Sequence, residues 1–213
     1  MSKLYLNTSQ VADLFNVDNS TVRRWTLGNK LKCVSSGGGH RKFSYKQILD
    51  FVNNNSKKMN LNLSSIDKLK GQSSVSDSVK FIATNALERK NSQIESLLLK
   101  LYLKGNAASD IFDKYVEKSL AYIQALLDKQ EISVAEEHIA RKTISKSLSD
   151  FRDALQKSSK SDKTALCLNI ENDIPDLAID MIQIVLESSN HSVHNSGSHT
   201  SIENLKILLD KKK

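Results

Sequence analysis

The chain of 213 residues has a single proline, Pro175. Ring-imposed helix breaks are therefore excluded almost everywhere else. Aromatic residues make up 6% of the sequence and there is one tryptophan, Trp25. With 39% hydrophobic residues, that scarcity points to small helical domains and away from a large β-core. Two cysteines, Cys33 and Cys167, lie far apart among apolar neighbours. They rule out a disulfide framework and are expected to be reduced core thiols of a cytoplasmic protein. The start, Met1-Ser2-Lys3-Leu4, has no apolar leader segment, and no run approaches the ~18 apolar residues of a membrane span. The expectation is a soluble chain with no membrane partner. Internal repeats are absent, as are a Ser-His-Asp arrangement, a phosphate loop and metal-ligand spacing, so an enzyme is not expected. His191, His194 and His199 read as surface histidines, because alternation along a strand would turn His191 and His194 to opposite faces.

What is present begins with an uneven charge. Residues 1–60 carry ten Lys/Arg against three Asp/Glu, a surplus equal to the +7 of the whole chain. Residues 61–213 carry 21 of each sign. A basic surplus confined to one segment is the footprint of a phosphate-facing surface, whereas a solubility charge would be spread out.

Four stretches separate along the chain. Residues 3–54 form a compact basic module. Residues 55–77, rich in Asn, Ser and Lys and ending in Gly71-Gln72-Ser73-Ser74, read as a linker. Residues 78–157 are long amphipathic patterns with Gly105 as the breaker. After a second linker, Lys157 to Lys163, residues 164–210 alternate short apolar runs with helix patterns. The expected class is mainly α: a winged helix-turn-helix, a four-helix bundle, then a partial βαβα segment.

In the basic module, Asn7-Thr8-Ser9-Gln10 offers capping residues before Val11, Ala12, Leu14 and Phe15, which share one helical face. After the turn Asn16-Val17-Asp18-Asn19, Ser20 is placed to cap a second helix. Val22 and Trp25 face inward at i, i+3, leaving Thr21, Arg23 and Arg24 outside. Gly28 is expected to end this helix in a left-handed conformation. Leu31-Lys32-Cys33-Val34 is a strand candidate, Ser35 to Gly39 a turn, and Arg41-Lys42-Phe43-Ser44 the return strand. Three consecutive glycines let a loop backbone approach phosphate closely. Arg41 at the tip is suited to phosphate or the minor groove, and Phe43 to the core. Tyr45 to Val52 closes the module with a helix.

This segment resembles the winged helix domains of the MerR superfamily and the excisionases. The resemblance rests on Val22-Arg23-Arg24-Trp25, Gly28 with Leu31, and the wing Gly38-Gly39-His40-Arg41-Lys42-Phe43. It implies binding to double-stranded DNA through Ser20, Thr21, Arg23, Arg24, His40, Arg41 and Lys42. A recognition helix of this kind enters the major groove at its N-terminal end. One module buries little surface, about 600–1,000 Å², so a dimer or tetramer on repeated half-sites is expected.

Residues 78–157 show four helical patterns, through Val79 to Leu87, Ile94 to Leu103, Ile111 to Leu127 and Ile132 to Leu155, as in a bundle. The words Glu131-Ile132-Ser133-Val134-Ala135-Glu136-Glu137-His138 resemble the helical cap before cobalamin-binding domains in light-sensing repressors of the CarH type and in corrinoid methyltransferase proteins. Glu137 and His138 match that family's pair. The tryptophan that covers the upper cobalamin ligand there stands as Leu127 here.

Thr164 to Asn169, Asp176 to Glu187, Ser192 to Asn195 and Ser201 to Leu209 read as strand, helix, strand and helix, the opening of a doubly wound sheet. The helix is expected to pack through Leu177, Met181, Ile184, Val185 and Leu186. The segment is similar to the first half of the cobalamin-binding α/β domain, whose first loop carries an acid-x-His-x-x-Gly motif with the histidine under the cobalt. The acid is met by Asp173, but Pro175 takes the place of the histidine and Ala178 that of the glycine. Proline has no lone pair for a metal. The expectation is a cytoplasmic, oligomeric, sequence-specific transcription regulator that works without a cofactor, with Glu137 and His138 as remnants of a cobalamin site. Two other readings stand beside it. One is a cobalamin- or light-responsive regulator with an altered lower ligand. The other is an adaptor whose bundle binds a protein partner such as a longer paralogue.

Overall fold

A computed structural model describes residues 5–35, 37–55, 61–62, 74–155, 163–169, 176–197 and 201. It falls into two compact units, Met1–Ala154 and Leu155–Lys213. It bears out the mainly helical class: an N-terminal helix-turn-helix with a small sheet, a helical bundle and a β-α-β segment.

The first unit opens on β1 (Tyr5–Asn7), a strand that the sequence pattern does not announce. Asn7 then caps α1 (Thr8–Phe15): its side chain accepts from the Gln10 N–H and the Gln10 side chain accepts in return from the Asn7 N–H, both at 2.9 Å. Val11, Ala12, Leu14 and Phe15 are buried as their spacing predicts. Asn16 ends the helix at φ 51°, and α2 (Asn19–Leu27) follows. Its cap position is Asp18 without a side-chain bond, so Ser20 lies inside the first turn and does not cap. Gly28 is not left-handed either, with φ −79° and its N–H bonded to the Arg24 carbonyl at 2.9 Å. The reversal falls one residue later, on Asn29 at φ 54°, a residue type that tolerates this region.

The strand expected over Leu31–Val34 is shorter and later, β2 (Val34–Ser35). Leu31 is spent on the core from a loop and Cys33 is only half-buried, not a core thiol. The return strand β3 (Arg41–Ser44) is the centre of a three-stranded antiparallel sheet, flanked by β1 and β2. Phe43 pairs with Leu6, and both are buried. Ser44 caps α3 (Tyr45–Asn54) through a reciprocal box with Gln47, and Tyr45, Ile48, Leu49 and Phe51 line the buried side.

The bundle starts at α4 (Val75–Leu87), capped by Ser74 with Asp77. This helix begins inside the stretch read as linker. Next come α5 (Asn91–Leu103) and one continuous rod made of α6 (Ala108–Ile111), a π-helical turn (Phe112–Val116) and α7 (Glu117–Asp128). The Ser119 hydroxyl, buried beyond the π-turn, donates towards the Tyr115 carbonyl at 2.6 Å and the Val79 carbonyl at 3.2 Å, stitching α7 to α4. The last helix is α8 (Val134–Leu155). Its buried stripe of Ala140, Ile144, Ser147, Leu148 and Phe151 has the i, i+3, i+4 spacing of a bundle seam. Phe151 meets Tyr102 and Phe112 edge-on, with ring centres 6.0 and 6.2 Å apart. Small Ser147 allows close approach to α5, where its hydroxyl bonds the Asn91 carbonyl at 3.2 Å.

Helix α3 packs against α5, which joins the basic module to the bundle. Near that seam Glu95 is half-buried. Burial, and then the Asp150 carboxylate, raise its carboxyl above the ordinary range, while Lys46 of α3 and Lys146 oppose the shift.

In the second unit, β4 (Thr164–Cys167) and β5 (Ser192–Asn195) pair in parallel, Thr164 opposite Ser192 and Cys167 opposite Asn195. The connection contains α9 (Asp176–Ser188), as a parallel pair requires a crossover. The buried stripe of α9 is Ile179, Gln183 and Ile184, whereas Leu177 and Met181 are half-buried. The expected apolar stripe is thus offset, because polar Gln183 is held in the interior by the Asn195 amide at 2.9 Å. The helix expected over 201–209 lies outside the described residues beyond Ser201, as do Asp173, Pro175 and His199.

Candidate nucleic-acid interface

The placement of α2 is decided by its inward side. Val22 is fully buried, and the Trp25 ring sits 5.5 Å from Phe15 and 4.9 Å from Phe51, which are themselves 5.4 Å apart. This aromatic triad packs α2 against α1 and α3 and marks its inward side. Ser20, Arg23 and Arg24 consequently face solvent, and Thr21 is half-buried beside them. The Arg24 guanidinium reaches Thr21 Oγ1 at 3.5 Å, a long contact that leaves most of its donors available. The Thr26 hydroxyl donates to the Arg23 carbonyl at 2.7 Å, pinning the last turn of the helix.

The wing is the β2–β3 hairpin, with Val34 opposite Lys42 and Ser35 opposite Arg41. Its tip is Gly37 to His40, all exposed. Gly39 adopts φ +73°, a conformation that excludes most side chains at little cost to glycine. Arg41 is therefore not at the tip: it begins the return strand, half-buried, while Lys42 is exposed next to it. No Asp or Glu occurs between Asp18 and Asp50, so the α2 and wing segment carries cations without internal neutralisation. Such a surface supplies point charges and guanidinium forks for phosphate oxygens and base edges. The expected residues thus fall on two elements of one module. One outward residue was missed, Leu27, which is 78% exposed. Its phase with Ser20 and Arg23 was the available signal.

Residues 5–56 match the helix-turn-helix domain family. The N-terminal module is therefore a helix-turn-helix domain.

Glu137 and His138 are placed very differently from one another. The Glu137 side chain is 6% exposed and its carboxylate accepts from Arg141 Nε one turn on. His138 is 69% exposed, with Nε2 3.8 Å from the other carboxylate oxygen. The turn before them is ordered by Ser133, whose N–H donates to the Glu136 carboxylate at 2.8 Å and whose hydroxyl accepts from the Glu136 N–H at 3.3 Å. Leu127 is half-buried. At the carboxyl ends of β4 and β5 the polar groups bond one another. The Asn169 N–H meets the Gly197 carbonyl at 3.2 Å, and the Gly197 N–H meets the Asn195 side chain at 2.8 Å. His191 precedes β5 and its Nδ1 lies 3.3 Å from the Leu186 carbonyl. Among the described residues no three His, Cys, Asp or Glu gather as a metal site, and no helix is long and apolar enough to cross a membrane.

The chain is similar in fold to the monomethylamine corrinoid protein of Methanosarcina barkeri, at 17% identity over 66% of each chain with a TM-score of 0.52. Other solved structures with detectable likeness are a cobalamin-binding protein of Desulfitobacterium hafniense (16% identity, 62% of each chain, TM-score 0.28). A third is the methanol:cobalamin methyltransferase complex of Methanosarcina barkeri (15% identity, 74% of this chain and 60% of that one, TM-score 0.34). The chain spans 60–66% of the length of these proteins. No curated protein matches it. The sequence resemblance to cobalamin-binding domains asks for a donor below the cobalt, and the residue in that place does not fit. Pro175 stands where the resemblance asks for a histidine, and proline has no lone pair for a metal.

Proposed function

We propose that this protein is a sequence-specific transcription regulator of the MerR and excisionase-like type, working in the cytoplasm as an oligomer and not as an enzyme. In this reading residues 3–54 bind double-stranded DNA, 55–77 link them to a bundle over 78–157, and 164–210 are a reduced corrinoid-protein module used in assembly, without a cofactor. The observation that carries it is the outward cationic side of α2, Arg23 and Arg24, in one module with a glycine-tipped wing bearing Arg41 and Lys42. Arg23, Arg24 and Lys42 would hold phosphates or base edges, and the Trp25 triad would set their angle of approach. His40 and Arg41 would steady the wing against the backbone.

The test is selection of the full chain against a randomised duplex pool, followed by footprinting and titration. Wild type enriches a defined site and binds it with a steep salt dependence. Replacing both Arg23 and Arg24 by Ala weakens binding by roughly 2–6 kcal/mol if each makes a base contact. Enrichment of no sequence refutes the reading. Light scattering of the same sample reads the oligomer, and a monomer at every concentration removes that part.

One observation favours a second reading, a cobalamin-responsive regulator: the fold likeness to a corrinoid protein at a TM-score of 0.52. A corrin absorption band that survives desalting of protein supplied with cobalamin would support it, and its absence would remove it.

A further inference from the structure

Leu27 is the most exposed of the large hydrophobic residues described, at 78%, ahead of Val134 at 57% and Ile182 at 53%. A single exposed leucine is ordinary on a protein surface. Its position here is not. On α2 the inward side is fixed by Val22 and Trp25. Directly opposite runs a stripe of four exposed residues, Ser20, Arg23, Arg24 and Leu27, at i, i+3, i+4 and i+7. That is the spacing of one helical face, and for all four to reach base edges α2 must lie along the major groove instead of entering it by its N-terminal end alone. Leu27 is the apolar end of the stripe. Arg23 one turn back and Arg24 three residues back are cations that would hold phosphates or base edges on either side of it.

We infer that Leu27 is a specificity-determining residue, whose side-chain methyls pack on the C5-methyl of thymine in the major groove. The chemistry follows from the groove: thymine is the one base that shows a methyl group there, and an aliphatic side chain is its natural partner. A protein partner for Leu27 would need an apolar ring around it, yet its neighbours on this face are Ser20, Arg23 and Arg24. The inference rests on the reading of α2 as the groove-entering helix and adds the base it recognises.

The decisive experiment removes the methyl and leaves the protein unchanged. In the site selected by the full chain, each thymine is replaced in turn by deoxyuridine, which keeps the A·U pair and loses the C5-methyl. Loss of one buried methyl weakens wild-type binding by about fourfold in Kd at one or more positions within the footprint. Leu27→Ala, a surface substitution that leaves the helical circular dichroism unchanged, binds the thymine site about as weakly as wild type binds the deoxyuridine site, and shows no further loss on deoxyuridine. Indifference of wild type to every replacement overturns the inference, and so does an L27A protein that still senses the same methyl. In both cases DNA binding itself survives, which separates this failure from that of the regulator reading. A full chain that selects no sequence overturns both.

Discussion

Replacing Arg141 by Met isolates the worth of the one cation held against a buried carboxylate. Glu137 is 6% exposed and its carboxylate accepts from Arg141 Nε on the next turn of α8, with His138 Nε2 at 3.8 Å the other group of possible positive charge nearby. Removing one partner of a fully buried ion pair costs ~3–5 kcal/mol, because the remaining charge stays desolvated. The Arg141 side chain is 39% exposed, so solvent already screens the pair and the lower end applies, about 2–3 kcal/mol. With a urea m-value of ~2 kcal/mol/M, the unfolding midpoint falls by about 1 M. The assay is urea unfolding of the full chain read by its helical circular dichroism. The fluorescence of Trp25, the single tryptophan, follows the helix-turn-helix module in the same sample. Glu137→Leu combined with Arg141→Met removes both charges and recovers most of the loss, since an apolar pair of similar volume is close to neutral. A midpoint for R141M within about 0.2 M of wild type refutes the assignment of Glu137 as a structural, Arg-paired carboxylate. It would then be a group free to serve a ligand.

Burial pushes the Tyr45 phenol up to about 12 from 10.0. Its stabilisation is complete below pH ~10 and is lost as pH rises towards 12, because the unfolded chain ionises first. Tyr45→Phe removes that alkaline slope in unfolding free energy, and an unchanged slope counts against the shift. Gln130 ends α7 at φ 60°; Gln130→Gly relieves the left-handed cost and gains roughly 0.5–1 kcal/mol in the same titration, whereas a loss would show the side chain to be needed. Phe151→Ala opens a cavity between Tyr102 and Phe112 and costs ~3–5 kcal/mol. A loss below about 1 kcal/mol would mean that the α5–α8 seam collapses around the void.

The legible parts of this fold are those set by short-range chemistry. The reciprocal box at Asn7 and Gln10, the buried face Val11 to Phe15, the strand Ser192 to Asn195 and the four bundle helices each follow from spacing within one or two turns. The errors fall where a distant partner decides. Strand β1 exists because β3 offers Phe43 opposite Leu6, a pairing that three residues cannot announce. Leu31 leaves its strand for the core, and Arg41 moves from the tip into β3 once Ser35 fixes the register. Gln183 occupies the buried stripe of α9 since Asn195 lies within reach to satisfy it.

The candidate site divides in the same way. The sequence by itself determined that a cationic helix and a glycine-rich wing share one basic segment, because residue type and short spacing carry charge and backbone freedom. The spacing of Val22 and Trp25 also turned Arg23 and Arg24 outward, and only the tertiary structure supplied the partners that hold the inward side, through the contact of Trp25 with Phe15 and Phe51. The packed structure also shows Leu27 left exposed in the stripe with Ser20, Arg23 and Arg24. The pairing of Glu137 with Arg141 beside an exposed His138 was decided at the same level. Burial is a property of the packed whole, and a side chain's neighbours in space set whether its charge or its methyl groups are left available.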